Sequence, residues 1–236
     1  MKKILVLVFV VIMNVNCKAQ VMDFLSDLAT VWETASSLFS STHREDVKKG
    51  QKYISQEKWA LAIDSFGAVD ASDSDFDQVI AYSGRGFCFE ILKRYDEAII
   101  EYDKILEIDP SFFSFDKDFI SEQKTHARKR REFCLVWSLQ STNSKTFING
   151  LDALEEEDYA TAFNYFSKVN EYDKPLLRVM AHYYKGVCRF IQNEEDKALI
   201  NFKRAIDFTT PYNPKYNAEI REYQSRAQYM VDILGY

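Results

Sequence analysis

The sequence predicts an all-α fold of stacked helical hairpins, arranged as two duplicated halves. Three observations carry that expectation. Gly (7) and Pro (4) are scarce across 236 residues, so few turns are marked and long uninterrupted elements are expected. Small and aromatic residues recur in one register four times along the chain. The sequence also aligns with itself, without a gap, after a shift of one hundred residues.

Residues 1–19 read as a signal peptide. Lys2 and Lys3 precede an unbroken apolar run, Ile4 to Met13, which is too short to span a bilayer stably and gives way to Asn14 and Asn16. The chain is therefore expected to be exported, to the periplasm or to an outer-membrane-associated position. Two processing routes fit. Cys17-Lys18-Ala19 puts small residues where signal peptidase needs them for cleavage before Gln20. The alternative is lipid modification of Cys17 as the first residue of a lipoprotein, although Asn14 and Asn16 stand where that motif usually has Leu and a small residue. The lysine-rich start and the Lys18-Ala19-Gln20 junction resemble secreted proteins of Bacteroidetes-type bacteria.

Residues 20–42 are expected to form a first helix, with Val21, Leu25, Leu28, Trp32, Ala35 and Phe39 at helical spacing. The first repeated unit follows at 43–142. Within it, Tyr82, Gly86, Phe89, Tyr95, Ala98, Tyr102, Ile105 and Pro110 place an aromatic, a Gly and an Ala where two antiparallel helices cross. Gly86 and Ala98 let the backbones approach, the aromatics fill the surrounding space, and Pro110 stops the second helix. Upstream the pattern recurs as Gly50, Tyr53, Trp59, Ala62, Phe66 and Val69. Downstream it recurs as Gly150, Tyr159, Ala162, Phe166 and Val169, and again as Gly186, Ala198, Phe202 and Ala205 before Pro211. This resembles the tetratricopeptide repeat (TPR). The resemblance implies hairpins stacked as an α-solenoid, and a protein that binds other proteins rather than an enzyme. Ala153, Arg189 and Glu195 depart from the pattern by standing where aromatics are usual.

The longer repeat extends beyond the hairpins. Gly50, Phe66, Gly86, Cys88 and Ala98 meet their own residue types at 150, 166, 186, 188 and 198, and Ile120, Glu122 and Ala127 do so at 220, 222 and 227. Each half is thus expected to hold two hairpins and one long helix, 116–139 in the first and 216–234 in the second. The second unit spans 143–236, with Asn143-Ser144 as the break.

Chemistry-bearing motifs are sparse. Only three histidines occur, His43, His126 and His182, none in a metal-binding spacing, and Cys-x-x-Cys is absent. His182 takes the aromatic position of Tyr82, which favours a core role. Gly84-Arg85-Gly86 lacks the preceding strand of a phosphate loop. Glu155-Glu156-Glu157-Asp158 falls at a helix–helix turn, where successive carboxylates diverge. Cys88, Cys134 and Cys188 are too few and sparse for a disulfide framework. The basic run Lys124, His126, Arg128, Lys129, Arg130 and Arg131 is expected to be a solvated helix face, the competing reading being a docking patch for an acidic partner or anionic headgroup. A formal charge of −6 gives no general attraction for nucleic acid. No catalytic residue, cofactor or metal is nominated.

The family resemblance puts the working surface on the concave faces of the first helices. Ser83, Phe87 and Glu90 fall there in the second repeat, and Met180, Tyr183, Val187 and Phe190 in the fourth. Phe87, Met180, Tyr183, Val187 and Phe190 are the nominated protein-binding residues, apolar enough to hold a partner helix or peptide. The Lys and Asn clamp that related proteins use for acidic chaperone tails is not matched, since Val47, Gln51, Ser83 and Phe87 stand there. Two arrangements fit the sequence: open grooves, or grooves filled by the chain's own long helices. The expected function is that of an extracytoplasmic adaptor or assembly factor for a cell-envelope protein. The alternative is a structural envelope lipoprotein anchored through Cys17, with membrane contact only in that case.

Overall fold

The computed structural model describes residues 44–109, 117–209 and 215–235; the expected signal peptide, Cys17 and the expected first helix lie outside them. The described residues form α-helices and no strand. The chain divides between Ser138 and Leu139 into two compact units. In the first unit, α1 (Arg44–Ser55) pairs with α2 (Trp59–Phe66), and α3 (Asp75–Ile91) pairs with α4 (Tyr95–Glu107). The long helix α5 (Lys117–Ser138) packs on α3 and α4. The second unit repeats this order: α6 (Ser144–Glu155) with α7 (Tyr159–Phe166), α8 (Pro175–Ile191) with α9 (Glu195–Ile206), and α10 (Asn217–Leu234) laid on α8 and α9.

One contact recurs in every hairpin. A Cβ added to Gly50, Gly86, Gly150 or Gly186 would lie 2.6, 2.8, 2.7 or 2.5 Å from the ring of Phe66, Tyr102, Phe166 or Phe202 respectively. The aromatic follows the glycine by sixteen residues each time. Ala62, Ala98, Ala162 and Ala198, at the matching place on the second helix, are fully buried. The first helix thus presents bare backbone to a ring, and the second presents a methyl group at the crossing.

The first helix also ends alike in each hairpin. Glu57, Lys93, Glu157 and Asn193 adopt left-handed φ of 55°, 58°, 58° and 62°. The following residue's N–H then reaches back across five residues: Lys58 to Tyr53, Arg94 to Phe89, Asp158 to Ala153 and Glu194 to Arg189, at 2.8–2.9 Å. This is the Schellman termination, which satisfies carbonyls that the helix would otherwise leave open. A side chain in that conformation costs roughly 1–2 kcal/mol, least for Asn.

The loops between hairpins carry their own polar ties. In the first unit Ser74 caps α3, accepting from the Asp77 N–H at 3.1 Å and donating to its carboxylate at 2.7 Å. In the second unit the buried Asp173 carboxylate accepts from the N–H groups of Asn170 and Asn143, both at 3.0 Å. It also accepts from the Asn143 amide and the Ser141 hydroxyl, both at 2.7 Å. The start of α6 is thereby held to the loop before α8. Burial by itself raises the Asp173 pKa, but these donors outweigh it and hold the carboxyl below its ordinary value.

A carboxyl depressed in the folded state stabilises above its unfolded pKa of about 3.9 and loses that contribution as pH falls through the folded value. Asp173→Asn is expected to cost about 1–3 kcal/mol at pH 7, because its amide would face donors. In urea melts the gap from wild type should close as the pH is lowered below about 4. A gap that persists unchanged into acid would mean that the carboxylate charge is not what ties the loop.

Candidate protein-binding surfaces

The inner helices α3 and α8 carry the five nominated residues. Phe87, Met180, Tyr183, Val187 and Phe190 are all interior, none more than 8% exposed. Phe87 turns toward the first hairpin, edge-on to Trp59 with centroids 6.0 Å apart, in a core shared with Val47, Ile54 and Phe66. Tyr183 is boxed between Phe202 of α9, 6.0 Å away, and Tyr223 of α10, 5.7 Å away. Two hairpins leave the apolar side of α8 uncovered, and α10 buries it with Ile220, Tyr223, Ala227 and Met230. The closing helix thus covers Tyr183, whereas Phe87 is covered by its neighbouring hairpin, and none of the five side chains lines an open groove as the sequence reading allowed. Ser83 and Glu90 are buried as well.

The basic run on α5 is also corrected in part. Arg130 and Arg131 turn inward instead of forming a solvated face. Arg130 Nε donates to Glu90 Oε1 at 2.9 Å, its Nη2 bonds the other carboxylate oxygen, and Arg131 pairs with Asp103. The Tyr102 hydroxyl donates to the same Glu90 oxygen at 2.6 Å. Burial works against the Arg130 charge, but Glu90 and Tyr102 outweigh it and raise its pKa. Burial, then Glu90, hold the Tyr102 phenol well above its usual range, so it stays a donor. Arg128 remains exposed.

The other motifs resolve into structure. Gly84-Arg85-Gly86 lies inside α3, with a Cβ on Gly84 only 2.5 Å from the Phe66 ring. Asp158 of the acidic run caps α7, accepting from the Thr161 N–H at 3.0 Å. Cys88, Cys134 and Cys188 are buried free thiols, and burial pushes Cys88 and Cys188 up to about 12. Among the described residues no His/Cys/Asp/Glu group could hold a metal ion, and no helix is long and apolar enough to cross a membrane.

Several large apolar side chains are exposed, Tyr172 and Tyr229 most of all, and two of them are matched isoleucines on the second helices. Ile100 of α4 is 54% exposed and Ile200 of α9 is 51% exposed, at the same register of the duplicated halves. Sequence reading passed over them because the family resemblance directed attention to the concave side. The one-hundred-residue alignment was the signal that could have found them.

The Glu90–Tyr102–Arg130 network has an apolar counterpart. The matching positions in the second unit hold Phe190, Phe202 and Met230, all buried. Replacing a buried ion pair by packed apolar side chains is often neutral or stabilising, whereas removing one partner strands a charge. Arg130→Met alone should therefore cost about 3–5 kcal/mol. The triple variant Glu90→Phe, Tyr102→Phe, Arg130→Met should recover most of that loss in urea unfolding. A triple variant as unstable as the single one would mean that the two units do not share a core geometry.

Comparison with known protein families agrees with this architecture. Residues 79–112 match one tetratricopeptide repeat model and residues 149–214 match another. No curated protein and no solved structure matches the chain. The first match covers the hairpin of α3 and α4, and the second covers both hairpins of the second unit. A match to the tetratricopeptide repeat thus falls in each of the two units.

Proposed function

We propose that the protein is an extracytoplasmic adaptor or assembly factor that holds a cell-envelope protein on the exposed faces of its hairpins. Tetratricopeptide repeats bind protein partners in general, which supports the class of function. The observation that carries the reading is the pair Ile100 and Ile200. Single exposed apolar residues are ordinary on a protein surface. The same side chain left half exposed at the same place in both copies is a surface feature that repeats with the fold. The amino-terminal targeting pattern at residues 1–19 supports the compartment. The apolar run ahead of Cys17 also supports the second reading, a lipoprotein anchored in the envelope. The mass of the mature amino terminus separates the two, since lipid on Cys17 and a start at Gln20 differ plainly.

Affinity capture from the native envelope tests the adaptor reading, using the mature protein beside an Ile100→Glu, Ile200→Glu double variant. Charging an anchor position is expected to cost about 2 kcal/mol or more in binding, enough to lose a specific companion, while the melting temperature stays near wild type. Recovery of the same companions by both forms would contradict a role for these two positions.

A further inference from the structure

The two units treat one cation pair differently. In the first unit Arg85 of α3 and Lys104 of α4 share the buried carboxylate of Glu101, with Arg85 Nη2 at 3.1 Å and Lys104 Nζ at 2.9 Å from the same oxygen. In the second unit Lys185 takes the place of Arg85 and Arg204 that of Lys104, so the pair is kept with its members exchanged. Glu101, however, becomes Asn201. Asn201 is buried and donates its amide to the Lys197 carbonyl at 2.8 Å. The cations remain and their carboxylate is gone.

Two further changes alter the cluster: one adds a cation, and the other adds an imidazole that burial and its cationic neighbours keep neutral. Gln78 becomes Arg178, and Tyr82 becomes His182. Arg178, His182 and Lys185 lie along one face of α8, with the Arg178 guanidinium resting 4.7 Å from the centroid of the Phe208 ring. Among the described residues no carboxylate pairs with Arg178, Lys185 or Arg204, and His182 Nδ1 is enclosed without a hydrogen-bond partner. The groups press on one another. Burial and then Arg204 lower the Lys185 pKa, while burial followed by Lys185, Arg204 and Arg178 brings His182 down to about 4. The cost falls on half-buried Lys185, since Arg204 is exposed to solvent, and a counter-charge would relieve it.

We propose that this cluster on α8 and α9 is an oxyanion site, which takes from an external ligand the carboxylate chemistry that Glu101 supplies internally in the first unit. Lys185 and Arg204 are its principal ligands. Arg178 flanks them, braced on Phe208, and the enclosed His182 ring senses the bound charge without touching it. The ligand is a carboxylate or phosphate group, carried by an acidic peptide or free in solution. Only the peptide source rests on the protein-binding function proposed above.

The histidine ring signals report binding, since the chain has only three histidines. The full mature chain is titrated with inorganic phosphate and, separately, with hexaglutamate at constant ionic strength. An anion at the site must raise the His182 pKa and the melting temperature. Lys185→Ala with Arg204→Ala should weaken binding at least about tenfold, the loss of charge-assisted hydrogen bonds. Asn201→Glu restores the internal carboxylate, so it should melt higher than wild type and lose the response to both probes. Hexaglutamate binding more tightly than phosphate identifies a presented carboxylate as the ligand; phosphate binding as well or better identifies a free oxyanion. If neither probe moves His182 in the wild-type protein, or if Asn201→Glu responds as wild type does, the proposal is overturned. Because phosphate binding needs no protein partner, a failed capture experiment leaves this result standing.

Discussion

Four times in this chain a helix backbone lies against the ring of an aromatic residue sixteen positions later. The other regularities follow from that approach. A first helix that brings its bare Cα to a Phe or Tyr ring leaves room at the crossing for nothing larger than Ala, which is why positions 62, 98, 162 and 198 are fully buried alanines. It also fixes where the first helix must end, so the left-handed residue and its back-reaching hydrogen bond recur at one distance from the glycine. Stacking of hairpin on hairpin uses the same rings. Phe66 is gripped by Gly50 from its own hairpin and by Gly84 from the next, while Phe166 meets Gly150 on one side and the stacked ring of Tyr184, 5.3 Å away, on the other.

Around this constant frame the duplicated halves solve their interiors with different chemistry. Where α5 meets α3 and α4, the first unit buries a carboxylate, a guanidinium and a phenol with their hydrogen bonds completed. The second unit has Phe190, Phe202 and Met230 at those positions. Neither solution is inherently the stabler one, because desolvating an ion pair offsets much of its attraction. The polar version does impose direction, since Glu90 accepts from Tyr102 and Arg130 in one geometry only. Similar substitution at position 201, without compensating loss of the cations, leaves the second unit with a charge imbalance that the first does not have.

The fold was legible in the sequence because its determinants are small, spaced and repeated. Gly, Ala and an aromatic at fixed intervals can be recognised without knowing what they touch. The helix over Lys117–Ser138 could be read for the same reason, since its apolar spacing survives the basic run. Less could be read where burial depends on a distant element. Tyr183 is apolar and regularly spaced whether it faces a partner or Tyr223, so the pattern alone did not decide between groove and core. Arg130 looked like surface because its partner lies forty residues away on another helix. Glu57, Lys93 and Glu157 gave no turn signal, since none is the Gly that usually marks a left-handed helix end. Asp173 gathers donors from both flanks of the α6–α7 hairpin, which no local motif announces.

The hairpins depend on the glycine–aromatic contact, and a double-mutant cycle on Gly186 and Phe202 tests that dependence most directly. Gly→Ala inside an ordinary exposed helix stabilises by roughly 1 kcal/mol. Here the added methyl would lie 2.5 Å from the ring. The account predicts that Gly186→Ala destabilises wild type by about 1–3 kcal/mol, and that the same change loses its penalty or becomes stabilising once Phe202 is Leu. Costs that simply add, with Gly186→Ala equally harmful in both backgrounds, would contradict the claim that this contact sets the hairpin.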